Sequence, residues 1–208
     1  MSAARVVVDV WSDYVCPFCY LQEPVFEAVS KQYGNAIEVR WHAFELRPEP
    51  VPTLDPGGEY LRTIWARSVY PMAAQRGMTL RLPPVQPRSR KAFEAAEFAR
   101  SVGRFEAMHD ALFRAFFQDG KDLASDDVLV EIASSIAVDG AGLRDALERG
   151  AFSATVLEDQ GSAQRLGVSG VPTMVVRGSG APLSQGSALV GAQPVAAVAA
   201  AIAANLRA

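Results

Sequence analysis

The chain has only two cysteines, and they stand three positions apart in Cys16-Pro17-Phe18-Cys19. Two cysteines scattered at random over this length would fall at that spacing about one time in a hundred. The pair also sits at a change of period. Before it, Arg5-Val6-Val7-Val8-Asp9-Val10-Trp11 is short, β-branched and bounded by Ser12-Asp13, which reads as a strand. After it, Leu21, Val25, Val29 and Tyr33 recur every fourth residue, the apolar stripe of a helix. Pro17 suits the first helical position, where its missing N–H would be unpaired anyway. Cys16 is therefore expected at the amino end of that helix, where free amides and the helix dipole favour a thiolate by about 0.3–2 kcal/mol. Cys19 lies one turn further in, on the same face and less exposed. An exposed Cys16 thiolate can attack a disulfide, and Cys19 can resolve the resulting adduct.

Two other uses of such a pair are weaker. Tetrahedral zinc wants four ligands, and the chain adds only His42 and His109, far apart and without His-x₃₋₅-His spacing, so no metal is expected. A structural disulfide across so short a loop would constrain the unfolded chain little and would not persist in a reducing cytosol.

Composition limits the partners. Half of the 208 residues are hydrophobic and 21% are charged, a globular composition. Twenty basic residues against 23 acidic ones leave a net charge of −3, which argues against nucleic acid and against acidic lipid as partners. The best candidate for a membrane span, Val195 to Ala204, is about half the ~18 apolar residues required. Met1-Ser2-Ala3-Ala4-Arg5 runs straight into the first strand without the regions of a signal peptide, so a cytoplasmic protein is expected.

A second strand is expected over residues 37–46, which makes the opening β-α-β. Arg47-Pro48-Glu49-Pro50-Val51-Pro52 to Gly57-Gly58 can hold neither ladder nor helix interior and marks a border. From about Tyr60 to Arg149 the pattern is helical, clearest in Phe105, Met108, Leu112 and Phe116. Ser125, Asp139 and Ser153 are candidate N-caps, and Arg88, Arg90 and Lys91 read as a solvated basic surface. Val168 to Val176 reads as a turn, a proline and a strand, and residues 187–191 as its partner. Gln193-Pro194 opens a last helix with Val195, Val198, Ala199, Ile202 and Leu206 on one face. The expected organisation is one sheet completed by residues 1–50 and 153–208, with residues 51–152 as an inserted helical domain.

Strand, Cys-Pro-Phe-Cys, helix, and a distant Val171-Pro172-Thr173 turn before a strand resemble the thioredoxin fold, of the α/β class with a central mixed sheet flanked by helices. The large all-helical insertion resembles the DsbA family. Within that family the chain is similar to the cytoplasmic FrnE-like branch. The residues that carry the likeness are Ser12 to Tyr20, Phe44-Glu45-Leu46-Arg47-Pro48, Gly167 to Thr173 and Gly191-Ala192-Gln193-Pro194. The resemblance implies a thiol–disulfide oxidoreductase with Cys16 and Cys19 catalytic, acting on protein or small-molecule disulfides. It implies no bound cofactor beyond the Cys16–Cys19 disulfide, recycled by glutathione or a thioredoxin-type partner. It implies a cis Pro172 beside the dithiol and a Val171 backbone that receives an extended peptide. Pro17 and Phe18 complete the substrate-binding residues. Strongly oxidising relatives carry histidine where Phe18 stands. The dithiol is thus expected between the reduction potentials of thioredoxin, about −270 mV, and protein disulfide isomerase, about −180 mV.

Around the dithiol, Asp9 is expected to make backbone hydrogen bonds, with a proton relay to Cys19 as the alternative. Asp13 reads as a turn residue, His42 as a sheet-face residue and His109 as packed and hydrogen-bonded. Trp11, Tyr14 and Tyr20 read as core or as an apolar lip, and Phe18 as surface. Two competing functions share the architecture. Kappa-class glutathione transferases and 2-hydroxychromene-2-carboxylate isomerases usually place serine where Cys16 stands. A non-enzymatic binding or chaperone module would keep the dithiol only as a switch.

Overall fold

The computed structural model describes residues 5–207. Its centre is β1 (Val6–Ser12), whose seven residues are all buried. β2 (Ile37–Ala43) pairs with it in parallel, which requires a crossover, and α1 (Pro17–Tyr33) supplies it. On its other side β1 pairs antiparallel with β3 (Thr173–Gly178), and β3 with β4 (Ser187–Val190). The order across the sheet is β2-β1-β3-β4. Both ends of the chain therefore complete one mixed sheet, in an α/β fold with helices on its faces.

Strand alternation sends β1 side chains to two different surroundings. Val6, Val8 and Val10 pack with Val25, Phe26 and Val29 of α1 and with Val198 and Ile202 of α9 (Val195–Arg207). Trp11 faces the other way and packs with Val175, Phe44 and Ala163 of α8 (Ser153–Arg165). Leu166, Val168 and Val171 border this second cluster.

The chain divides into two compact units. One comprises the residues up to Phe44 and those from Asp159 onward, and the other runs from Glu45 to Glu158, so the division falls inside α8. The second unit holds α2 (Glu59–Ile64), a π-helical stretch (Trp65–Val69), α3 (Tyr70–Gln75), α4 (Arg90–Ser101), α5 (Phe105–Phe117), α6 (Asp126–Ser135) and α7 (Gly140–Glu148). Phe105, Met108, Leu112 and Phe116 of α5 are all buried, the stripe read from the sequence, and Phe113 is buried with them.

Local signals and long-range contacts compete at the helix ends. Asp139 caps α7 by accepting from Ala141 N at 3.0 Å. Ser125 occupies the cap position of α6 but makes no side-chain cap bond. Ser153 is not a cap: it is the first helical residue of α8, and its hydroxyl donates to the Glu94 carboxylate. The basic run is not a simple solvated surface either. Arg90 pairs with the buried Glu45, Arg88 donates to the carbonyls of Arg47 and Val51, and Lys91 pairs with Asp126. With Glu49 and Ala124, these cations and Glu45 line a cavity of about 360 Å³.

Candidate active site

Cys16 is the N-cap residue of α1, with extended backbone, and Pro17 follows in the first turn. Cys19 N and Tyr20 N both donate to Cys16 O, so the helix starts at the motif. Both cysteines are in the thiol form. The Val171–Pro172 peptide bond is cis. The Cys16 thiol donates to Val171 O at 3.6 Å, which brings together residues 155 positions apart. Pro172 O accepts from Gly191 N at 2.8 Å. The buried Gln22 of α1 accepts from Gln193 N at 2.8 Å, which ties the loop before α9 to the helix that carries the dithiol.

The expectation of an exposed Cys16 needs correction. Cys16 keeps 4% of its surface and Cys19 keeps 1%, because the Val171 main chain lies over the first sulfur. The order of exposure is the expected one, but both sulfurs are buried. Val15, Pro17, Phe18 and Val171 are half-buried, while Pro172 is buried. Trp11, Tyr14 and Tyr20 are core rather than lip.

The two sulfurs have different surroundings. Burial pushes the Cys19 thiol well above its ordinary range, and its hydrogen bond and charge interaction with Cys16 push the same way. The Asp13 amide, which donates to Cys19 Sγ at 3.5 Å, and the Ser12 hydroxyl pull it back down. Cys19 thus rests as a protonated thiol next to Cys16. Asp13 is a turn residue as read: its carboxylate accepts from Val15 N at 3.1 Å and its carbonyl from Cys16 N at 3.0 Å.

Asp9 departs from the sequence reading. It is 1% exposed, and both of its oxygens are taken by side chains. His42 Nε2 lies 2.9 Å from Oδ1 and Arg177 Nε 2.7 Å from Oδ2. His42 Nδ1 lies 2.8 Å from Asp159 Oδ1, and Asp159 Oδ2 accepts from Ala43 N at 2.9 Å. A neutral imidazole has one donor and one acceptor, so two carboxylates on its two nitrogens require the imidazolium. Burial disfavours that charge, but the hydrogen bonds it donates to Asp159 and Asp9 outweigh that cost and raise the His42 pKa to about 9. Burial likewise works against the Asp9 carboxylate, yet the bonds from His42 and Arg177 hold its pKa below the usual value. Trp11 stacks on the imidazole with ring centres 4.8 Å apart.

This network lies on the α8 face of β1, whereas α1 packs on the opposite face, so Asp9 is not among the groups bearing on Cys19. The sequence reading missed Ser12, Asp159 and Arg177. One signal was available: Asp9 and Arg177 are single charges of opposite sign, the first inside an apolar run and the second at the end of one. His109 is packed as read, between the rings of Phe105 and Phe113. Among the described residues no group of three His, Cys, Asp or Glu side chains could hold a metal ion, and no helix is long and apolar enough to cross a membrane.

Comparison with known proteins bears on this arrangement. Residues 7–203 match the family described as the DSBA-like thioredoxin domain. YwbO of Bacillus subtilis is 34% identical over 175 residues, covering 82% of this chain and 86% of that protein. The crystal structure of the probable DsbA oxidoreductase SCO1869 from Streptomyces coelicolor superposes with a TM-score of 0.79 at 25% identity, over 97% of this chain and 90% of that one. The cytosolic disulfide reductase DsbM from Pseudomonas aeruginosa, in its structure with GSH, has a TM-score of 0.67 at 22% identity, over 97% of this chain and 100% of that one.

Proposed function

The chain belongs to the DSBA-like thioredoxin domain family, and within it we propose a thiol–disulfide oxidoreductase in which Cys16 attacks and Cys19 resolves. The observation that carries this reading is the placement of the Cys16 sulfur. It stands at the amino end of a 17-residue helix, against the Val171 main chain, with Cys19 buried behind it.

The chemistry runs in two exchanges. The Cys16 thiolate attacks one sulfur of a substrate disulfide, forms a mixed disulfide and expels the other half as a thiolate. Cys19 loses its proton and attacks Cys16 Sγ, which releases the second half and leaves a Cys16–Cys19 disulfide. The substrate gains two electrons and the dithiol loses two. Two molecules of a small thiol reverse the change and leave as their own disulfide. Glutathione suits that part, as does a thioredoxin-type partner. The presence of GSH in the DsbM structure supports the first. That protein's description as cytosolic supports a cytoplasmic site of action. In a glutathione-poised compartment the dithiol should rest mostly reduced, which favours work as a reductase or isomerase.

Pro17, Phe18, Val171 and Pro172 are the substrate-binding residues of this reading. The half-buried Pro17, Phe18 and Val171 offer an uncharged rim, and the Val171 backbone offers a strand-like edge to an extended disulfide-bearing segment. Protein and small-molecule disulfides both fit such a rim.

The test is trapping. Cys19→Ser should accumulate mixed disulfides on Cys16, identifiable by mass spectrometry, and Cys16→Ser should abolish exchange with any disulfide. Glutathione-dependent isomerase activity that survives Cys16→Ser would replace this reading with the kappa-class one. Holdase activity untouched by Cys16→Ser, with no turnover of any disulfide, would replace it with the binding-module one.

A further inference from the structure

Ser12 ends β1 and is 5% exposed; its hydroxyl has no hydrogen bond of ordinary geometry among the described residues, yet it lies close enough to the Cys19 sulfur to lower that thiol's pKa. A buried hydroxyl without a partner is costly, and a redox role is one of the explanations such a group admits. Alternation places Ser12 on the face of Val6, Val8 and Val10, against which α1 packs. The first turn of α1 carries Cys19.

Cys19 Sγ already accepts one donor from that side, the Asp13 amide at 3.5 Å. That amide is held by its own turn, through Val15 N on the Asp13 carboxylate and Cys16 N on the Asp13 carbonyl. In the resting dithiol Cys19 is a neutral thiol, a weak acceptor that gives the hydroxyl little to bind. A thiolate in the same place is a strong one.

We propose that the Ser12 hydroxyl and the Asp13 amide form a two-donor pocket for the Cys19 thiolate, the leaving group when a thiol opens the Cys16–Cys19 disulfide. The inference rests on the dithiol chemistry above and assigns Ser12 a part in it. In the step concerned, an incoming thiolate attacks Cys16 Sγ and forms a mixed disulfide. The Cys16–Cys19 bond breaks, and its electron pair goes to Cys19 Sγ. The two donors hold that charge until a proton from solvent neutralises it. Read backwards, the same donors stabilise Cys19 as the attacking thiolate that resolves a mixed disulfide. The opposing pulls on Cys19 agree with this: burial and Cys16 raise its pKa, and only the Asp13 amide and the Ser12 hydroxyl lower it.

The test uses the full chain, oxidised with excess oxidised glutathione and then mixed with dithiothreitol. Disulfide opening is followed by quenched alkylation. Ser12→Ala should open on the order of tenfold more slowly, the loss expected for one hydrogen bond to a charged group. Its equilibrium midpoint in glutathione buffers at pH 7 should stay at the wild-type value, because the resting forms hold no Cys19 thiolate. Ser12→Thr and Ser12→Val share a shape and differ by the hydroxyl, so they answer the question even if the alanine variant fails to fold. Thr should open about tenfold faster than Val. Equal rates for Thr and Val would overturn the proposal, as would a midpoint that moves in step with the rate. If the wild-type protein forms no disulfide or exchanges none, the dithiol reading fails and this inference with it. If the wild type exchanges and Ser12→Ala matches it, only the inference fails.

Discussion

The two faces of β1 are both buried, yet they are held by different physics. Towards α1 and α9 the strand shows Val6, Val8 and Val10, which belong to an apolar cluster with Val25, Phe26, Val29, Val198 and Ile202. Towards α8 it shows Val7, Asp9 and Trp11, and around Asp9 lie His42, Arg177 and Asp159. The first face is stabilised by area removed from water, which has no preferred direction. The second holds two carboxylates and two cations whose charges cancel, and each bond fixes a distance. Asp159 alone ties α8 to both the His42 ring and the Ala43 amide of β2. The lesson is that the sheet tolerates charge in its interior only as a closed set, so single substitutions on the two faces should differ in cost.

The largest effect should come from opening that set. Asp9→Ala leaves the buried Arg177 without its carboxylate and His42 with one of two. We expect a loss of about 3–5 kcal/mol in equilibrium denaturation, the usual result of removing one partner from a buried ion pair. Val8→Ala on the opposite face trims two methyl-sized groups from a packed site and should cost about 2 kcal/mol. An Asp9→Ala loss no larger than that of Val8→Ala would erase the distinction between the faces.

Acidity offers a second way to separate them, because the paired charges lie on the α8 face. The His42 pKa is raised to about 9 in the folded protein, against about 6.5 in an unfolded chain. A raised folded pKa means the stabilisation is complete below pH ~6.5 and is lost as pH climbs through 9. The full span amounts to about 3 kcal/mol at most. The melting temperature should therefore fall between pH 6.5 and 9, and His42→Asn should flatten that fall. On the acid side the sign reverses. Asp9 has a lowered pKa, so its contribution is complete above the ordinary carboxylate range and is lost progressively as pH falls from there through the depressed value. A wild-type profile as flat as that of His42→Asn from pH 6.5 to 9 would mean that the imidazolium does not hold α8.

The same contrast explains what was legible in the sequence. The apolar face was readable because its information is periodic. Alternation in β1 and the α1 stripe of Leu21, Val25 and Val29 announce themselves within a few residues. The dithiol at the start of α1 was readable for a similar reason, since Cys16 and Pro17 are adjacent and their positions follow from local capping. The charged face was not. Asp9 meets His42 across 33 positions and Arg177 across 168, and alternation tells which way a side chain points but not what it finds there. The burial of Cys16 escaped for the same reason, because it depends on a carbonyl 155 residues away. Ser153 shows the conflict directly: its local sequence favours a cap, and a distant glutamate takes the hydroxyl instead.

The smallest expected effect is the most discriminating. Asp9→Val combined with Arg177→Met removes one anion and one cation together and leaves His42 paired with Asp159. Each single change strands a buried charge and should cost several kcal/mol. The double change strands none and fills the site with apolar volume, so it should lie within about 1–2 kcal/mol of wild type. The coupling between the two positions would then be several kcal/mol, well beyond the few tenths typical of independent sites. That outcome would show that the α8 face can be rebuilt in the manner of the α1 face without loss of stability. The charged set would then contribute register and direction rather than net free energy. Additive losses would instead show that Asp9 and Arg177 act through separate partners, His42 for one and the Ala181 carbonyl, 2.8 Å from the guanidinium, for the other.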